Sequence, residues 1–190
     1  MTYDSAYAEL WERCPDRLRE AGEQWYPLAM TEVEIGCPTA SPIRLASVAA
    51  HLSPRVSWAQ CVQATHQLTQ GKARPRSIMT GPWSRALLAW EADDPLSTFS
   101  KAATKTEPFA RAMAGDLNAA VIDTHMIHAG LGYRPGYNHL STAEYRRLFG
   151  DALAALRGLS VDVGVPVAPL QAALWLTWKE TKTNMEVTVR

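Results

Sequence analysis

The stretch AAVIDTHMIHAGLG, residues 119–132, joins an apolar run to a polar turn and then to a second apolar segment. The apolar run over 119–122 predicts buried chain, and it ends at the polar sequence Asp-Thr-His, residues 123–125. An aspartate at such a boundary is typical of a helix N-cap, because its carboxylate accepts hydrogen bonds from the first free backbone amides. The positive end of the helix dipole favours the charged carboxylate. The stretch therefore predicts a helix that begins after Asp123.

Apolar residues on both sides of this stretch recur at helical spacing, and Ser, Pro and Gly residues divide them into segments. We expect helices over residues 3–26, 42–52, 53–71, 83–91, 105–115, 141–158 and 167–182. No segment alternates convincingly in the manner of a strand. The sequence predicts an all-α fold, a bundle of about eight to ten helices in a single domain over residues 1–190.

Several helix ends have specific signals. Ser53 followed by Pro54 predicts the start of the helix over 53–71, because serine is a favoured cap and proline is tolerated in the first turn. Ser141 and Glu144 form a predicted capping box for the helix over 141–158. One helical turn is expected within 93–104, and residues 186–190 are expected to form a frayed tail or a short strand.

Charge is distributed unevenly along a chain whose net charge is zero. The segment 35–90 contains no Asp or Glu but six basic residues, whereas the first 34 residues hold eight acids against three arginines. The basic residues are Arg44, Arg55, Lys72, Arg74, Arg76 and Arg85. This pattern predicts a positive face that binds phosphate, unless folding mixes the charges over the surface.

The remaining composition excludes several classes of protein. The N-terminus is polar and acidic, unlike a signal peptide, and no apolar run approaches the roughly 18 residues that span a bilayer. We therefore expect a cytoplasmic protein without a membrane partner, and a monomer. The three cysteines are far apart and lack metal-ligand spacing, so we expect free thiols, no metal and no organic cofactor.

The motif VIDTH, residues 121–125, resembles the V-D-x-H signature of helix-hairpin-helix DNA glycosylases of the endonuclease III type, whose aspartate is catalytic. Bifunctional members of that family carry a lysine 18 residues before the aspartate, and here that position is Lys105, followed by Thr106. The Gly-rich hairpin that precedes the lysine in the family is replaced by SKAATK, so the usual mode of docking on DNA is not implied. Lys105 is therefore interpreted as a phosphate contact or a solvated lysine rather than a nucleophile.

A longer resemblance covers residues 49–65, 94–116, 119–126 and 169–179. These segments are similar to a divergent group of small glycosylase-like proteins from phages and bacteria. Its typical residues correspond here to Leu52, Ser53, Pro54, Arg55, Trp58, Lys105, Phe109, Gly115, Asp116, Asp123, Gln171 and Trp175. The group resembles the thymine pyrophosphorylases of phage DNA hypermodification, and also bacterial antiphage glycosylases that excise hypermodified bases.

These resemblances imply a monofunctional DNA glycosylase. A modified base in double-stranded phage DNA, such as glucosylated hydroxymethylcytosine, would be flipped into a pocket, and Asp123 would stabilise the oxocarbenium-like sugar as the N-glycosidic bond is hydrolysed. The product would be an abasic site, and the role antiviral defence. Two alternatives stay open: a pyrophosphorylase-like transferase acting on a substituent of the base, and a non-catalytic DNA-binding module in which Asp123 only caps a helix.

The candidate contacts around Asp123 each have a structural alternative. His125 contacts the pocket or a phosphate, or is simply packed, and Gln171 shares a helix face with Trp175 and reads a base edge or is buried. The expected phosphate or base contacts are Ser53, Arg55, Lys72, Arg74, Arg76 and Lys105. The tryptophans expected mainly in the core, with one of them lining a base pocket, are Trp58, Trp83, Trp90, Trp175 and Trp178.

Overall fold

A computed structural model of the chain describes residues 2–100, 103–132 and 142–188, and every regular element in these ranges is helical. The α-helices are α1 Tyr3–Glu12, α2 Asp16–Glu34, α3 Pro42–Leu52, α4 Trp58–Thr69, α5 Thr80–Glu91, α6 Thr106–Met113, α7 Thr124–Leu131, α8 Thr142–Val163 and α9 Val167–Thr188. One 3₁₀ turn, Pro95–Thr98, lies within 93–104, where one helical turn is expected from the sequence. The prediction of an all-α fold is confirmed.

Several predicted helix boundaries were wrong. The helix expected over 3–26 is two helices, α1 and α2, with Pro15 in the break between them. Ser57, not Ser53, is the N-cap of α4. The helix α8 passes Gly158 and ends before Gly164, whose φ of 68° favours glycine.

The chain end also differs from its prediction. The last helix continues to Thr188, so residues 186–188 are helical rather than a tail or a strand. Residues 189–190 lie outside the described residues, as does Ser141 of the predicted capping box.

The chain forms two compact units. The terminal unit comprises Met1–Trp25 and Ala120–Arg190, and the central unit comprises Tyr26–Ala119. The single domain expected over residues 1–190 stays a prediction.

In the terminal unit, α1, α7, α8 and α9 surround one apolar core. Its fully buried side chains include Tyr7, Ile122, Met126, Leu156 and Leu174. Burial of each such side chain stabilises the fold by roughly 1.5–3 kcal/mol. A Cβ on Gly130 of α7 would lie 1.9 Å from a ring atom of Tyr3, so the contact between α1 and α7 requires glycine at that position.

In the central unit, α3 is the buried helix, and α4, α5 and α6 pack around it. Residues 45–52 of α3 are all buried. Small side chains such as Ala46, Ala49 and Ala50 let the neighbouring helices approach closely. Arg44 donates hydrogen bonds to the carbonyls of Trp90 and Ala92 at the end of α5.

No single helix in the described ranges has the length and apolar character needed to cross a bilayer. One bent pair, Ala143–Val163 with Val167–Thr181 at 107°, passes that test of length and composition only when its two helices are counted together.

Candidate functional site

Asp123 caps α7 as the sequence predicts. Its Oδ1 accepts a hydrogen bond from the backbone amide of Met126 at 3.0 Å, and its extended backbone starts the helix. Its Oδ2 accepts a second hydrogen bond, 3.2 Å long, from the indole Nε1 of Trp175 on α9. The residue is only 9% exposed. Two donors on separate helices therefore fix a nearly buried carboxylate in one orientation.

Aromatic and cationic groups surround Trp175, which is itself half-buried. The ring of Trp25 lies 5.3 Å from that of Trp175, centroid to centroid, at an angle of 49°. The ammonium group of Lys179 lies 4.1 Å from the centroid of Trp175, and the ring of His125 meets it edge-on at 6.3 Å. Flat rings and a cation thus border the indole that holds Asp123.

The carboxylate of Asp123 contributes to a raised pKa at two tyrosines, Tyr7 and Tyr145. Burial raises the pKa of Tyr7, with smaller contributions from Tyr3 and from Asp123, and the Tyr7 hydroxyl donates a hydrogen bond of 2.9 Å to the carbonyl of Met126. Burial also raises the pKa of Tyr145 on α8, and the carboxylate of Asp123 adds to that rise. Both phenols are therefore neutral near pH 7.

The structure brings four predicted residues into the terminal unit: Asp123, His125, Gln171 and Trp175. Trp175 contacts both Asp123 and His125, and Gln171 is buried one turn before Trp175 on α9. Trp25 and Lys179 were not predicted from the sequence. Lys179 follows Trp175 by four residues on one helix face, a spacing that could have revealed it, whereas nothing in the sequence linked Trp25 to Trp175.

The segment that follows α3 differs from its prediction. Ser53 ends α3, and its hydroxyl donates to the carbonyl of Ala50 at 3.0 Å, so it does not cap a following helix. Arg55 is exposed in the loop rather than at a helix start, with φ of 64° in the left-handed region. Trp58 is half-buried, meets Phe109 edge-on and donates from Nε1 to Glu32 at 2.8 Å. Trp58 therefore has structural partners, and only Arg55 of these residues offers a charge to solvent.

The loop after α4 carries three of the predicted phosphate contacts, Lys72, Arg74 and Arg76, and all three residues are exposed. The guanidinium of Arg74 also donates to the carbonyl of Ile78 and so holds the loop together. Arg44 is also committed to backbone carbonyls, which removes it from the predicted positive face. The exposed cations of the segment 35–90 are Arg55, Lys72, Arg74, Arg76 and Arg85.

Lys105 stands at the N-cap position of α6, as its sequence predicts, and its side chain is exposed without capping the helix. Glu107 in the first turn of α6 pairs with Arg111, so a carboxylate already lies at this positive helix end. Lys105 belongs to the central unit and Asp123 to the terminal unit, and the role of Lys105 toward a phosphate stays a prediction.

The tryptophan prediction was correct only in part. Trp83 is buried, whereas Trp58, Trp90, Trp175 and Trp178 are half-buried. In the terminal unit a cavity of about 200 Å³ lies between the end of α7 and helices α1 and α9, lined by Ala129 and Trp178 among others. Because α7 is roughly 12 Å long, this cavity is at the opposite end of the helix from Asp123.

Within the ranges that the structure describes, no three His, Cys, Asp or Glu side chains are grouped so that they could hold a metal ion. A model of the family of unknown function DUF7178 matches residues 2–182. The chain belongs to this family, since the match covers most of its length. No curated protein and no solved structure matches the chain.

Proposed function

We propose that this DUF7178 protein is a DNA glycosylase that uses Asp123 to hydrolyse the N-glycosidic bond of a base flipped out of double-stranded DNA. The resemblance of residues 121–125 and of the longer segments to glycosylase-like proteins supports this proposal. The proposed substrate is a hypermodified pyrimidine in phage DNA, and the proposed role is antiphage defence by a cytoplasmic monomer.

The observation that carries the proposal is the fixed carboxylate of Asp123. Met126 and Trp175 each occupy one lone pair of the two oxygens, and a carboxylate has about four such sites. One free lone pair on each oxygen can then face a sugar and a water molecule. Because the donors hold the group before the substrate arrives, little reorganisation is needed when positive charge develops nearby.

The proposed reaction is hydrolysis at C1′ of the flipped nucleotide. The bond between C1′ and the base nitrogen breaks, and its electron pair leaves with the base. The positive charge left on the sugar is stabilised by the carboxylate of Asp123. Water attacks C1′, Asp123 accepts its proton, and the departed base takes up a proton from solvent. The products are the free base and an abasic site.

The rings near Asp123 suit a flat substrate. Trp25, Trp175 and His125 provide aromatic surfaces, and stacking on such rings stabilises an unstacked base by about 1–3 kcal/mol. Lys179 adds a positive charge at the same ring, which would attract the phosphate beside a flipped nucleotide.

One observation favours a second candidate, a non-catalytic DNA-binding module. Both oxygens of Asp123 already accept hydrogen bonds from structural donors, so the residue satisfies its role as a helix cap without any substrate. In that case the carboxylate stabilises α7, and the basic residues of the central unit would carry the binding.

Product analysis separates these candidates. The protein is incubated with phage DNA carrying hypermodified pyrimidines and with unmodified DNA, and free bases and abasic sites are measured. A glycosylase releases the complete modified base and leaves equal numbers of abasic sites. A transferase alters the base substituent without abasic sites, and a binding module yields neither product. Borohydride should trap no covalent adduct during base release, because Lys105 is not proposed as a nucleophile.

A further inference from the structure

The exposed face of α4 carries a stripe of glutamines. Gln60, Gln63, Gln67 and Gln70 follow one another at intervals of three, four and three residues, so they share one side of the helix and its C-cap. The opposite side, which includes Cys61, Ala64, Thr65 and Leu68, is buried. No Asp, Glu, Lys or Arg occurs within Trp58–Thr69. This surface is therefore polar but uncharged.

Three of these amides are available to a ligand. The side chain of Gln60 completes the capping box by accepting from the backbone amide of Ser57 at 3.0 Å. Gln63, Gln67 and Gln70 make no hydrogen bond through their side chains to any residue that the structure describes, and Gln63 and Gln70 are exposed. A glutamine amide offers a donor beside an acceptor, the pair that matches N6 and N7 of adenine in the major groove.

Cations stand at both ends of the stripe. Arg55 is exposed three residues before α4, and Lys72 and Arg76 are exposed after it. The position of Lys72 is fixed by a helix-ending turn in which its amide donates to the carbonyl of Gln67, and the amide of Gly71 to that of Leu68, both at 2.9 Å. The φ of 69° at Gly71 is the left-handed conformation that such a turn requires.

The dimensions agree with a major groove. Twelve helical residues span about 18 Å, while the major groove of B-form DNA is about 12 Å wide. A helix laid across the groove therefore carries its flanking residues to the two phosphate backbones. One exposed carboxylate, Glu32 on α2, lines the same surface pocket as Gln63, Gln67, Gln70 and Lys72, and it accepts the indole hydrogen bond of Trp58.

From these features we infer that α4 is a recognition helix that docks in the major groove of duplex DNA. Gln63, Gln67 and Gln70 contact base edges, and Arg55, Lys72 and Arg76 contact phosphates on either side. B-form DNA is the expected partner rather than double-stranded RNA, because the major groove of RNA is too narrow to admit a helix. The inference rests on the proposed DNA substrate but not on bond cleavage.

The test measures binding without turnover. Full-length protein carrying Asp123→Asn is titrated with fluorescent duplexes over a range of salt concentrations. Replacing Arg55, Lys72 or Arg76 by alanine should each reduce the slope of log K against log salt by about 1. The matched control is Arg157→Ala, an exposed arginine on α8 of the terminal unit, which should leave the slope unchanged.

The glutamines are tested by sequence preference. In selection from randomised duplexes, Gln63→Ala with Gln67→Ala should weaken discrimination at the contacted base pairs at least about fivefold and leave the salt slope unchanged. Wild-type preference in that variant would overturn the inference, as would equal competition by double-stranded RNA or self-association of the protein through this face. If the wild-type protein releases base while the variants bind like their Asp123→Asn parent, the recognition helix is wrong and the glycosylase stands. If the variants behave as expected but no DNA loses a base, the reverse holds.

Discussion

Among single residues, Asp123 has a carboxylate that two hydrogen-bond donors hold in place. The cap hydrogen bond to Met126 follows from local sequence, because an aspartate before an apolar helical segment is a common N-cap. The indole of Trp175 could not be predicted as its second partner. It lies 52 residues later in the chain, and no local pattern joins the two positions.

Two tryptophans on α9 allow this hydrogen bond to be measured. Trp175→Phe keeps a ring beside Trp25 but removes the donor to Asp123, so it should lower the free energy of unfolding by about 1.5–3 kcal/mol, the usual contribution of a hydrogen bond to a charged group. Trp178→Phe is the control, because its buried Nε1 has no hydrogen-bond partner within the described residues. Removing that unsatisfied donor should change stability little or increase it.

Urea unfolding at pH 7 distinguishes these two variants. Equal losses of stability would mean that the hydrogen bond to Asp123 contributes nothing beyond ring packing.

His51 makes the central unit sensitive to acid. Its ring is 4% exposed, stacks on Phe99 at 4.1 Å and lies 2.9 Å from the hydroxyl of Thr98. Burial, and then the charge of Arg85, lower the pKa of His51 from 6.5 to about 4. The folded protein thus favours the neutral ring. The preference of the folded protein for neutral His51 contributes fully to the free energy of unfolding above pH 6.5. This contribution is lost as the pH falls from 6.5 through 4, because over that range the unfolded chain binds a proton at this histidine and the folded chain does not.

The shift corresponds to about 3 kcal/mol of stability at pH 7 that is lost by pH 4. His51→Gln should flatten the decline of unfolding free energy between pH 6.5 and pH 4 by that amount, measured by urea unfolding at each pH. The variant is less stable at neutral pH, so the comparison concerns the slope alone. A decline as steep as that of the wild type would show that His51 is not the group responsible.

At the scale of elements, the helices were more predictable than their ends. The helix expected over 42–52 coincides with α3, whose mostly apolar sequence is buried over residues 45–52. The start of α4 was wrong because Ser53-Pro54 and Ser57-Trp58 both resemble helix starts. The deciding signal was Gln60, which forms a capping box with Ser57 and lies too far from Ser53 to cap it.

The two serines provide a matched test of that boundary. Ser57→Ala removes the acceptor of the Gln60 amide and should lower stability by about 1 kcal/mol. Ser53→Ala removes only a hydroxyl that donates to Ala50 at the end of α3, and should cost about half of that or less. Thermal unfolding of both variants gives the order, and a larger loss for Ser53→Ala would place the helix start where the sequence analysis had it.

Across the whole molecule, the basic residues of the segment 35–90 fall into two groups. Arg44 is bound to backbone carbonyls within the fold, and the others are exposed. The acid-free segment 35–90 lies entirely in the central unit, and most of its basic side chains are exposed. Arg44 is the exception because it donates to carbonyls at the end of α5, which composition could not reveal. The exposed cations that remain include the phosphate contacts proposed for α4, whereas the proposed chemistry belongs to the terminal unit, where Asp123 lies.

The carboxylate of Asp123 is proposed to stabilise the sugar as the glycosidic bond breaks, and the rate of base release in a single turnover measures that role. Asp123→Asn keeps a side-chain oxygen that can cap α7, so the fold should persist. The control is Asp162→Asn, an exposed aspartate on α8 of the same unit. With DNA containing a hypermodified pyrimidine, Asp123→Asn should slow release at least about a hundredfold, the scale of a lost charge-stabilising group, while Asp162→Asn releases base at the wild-type rate. Release by Asp123→Asn at the wild-type rate would show that the carboxylate of Asp123 is not the catalytic group.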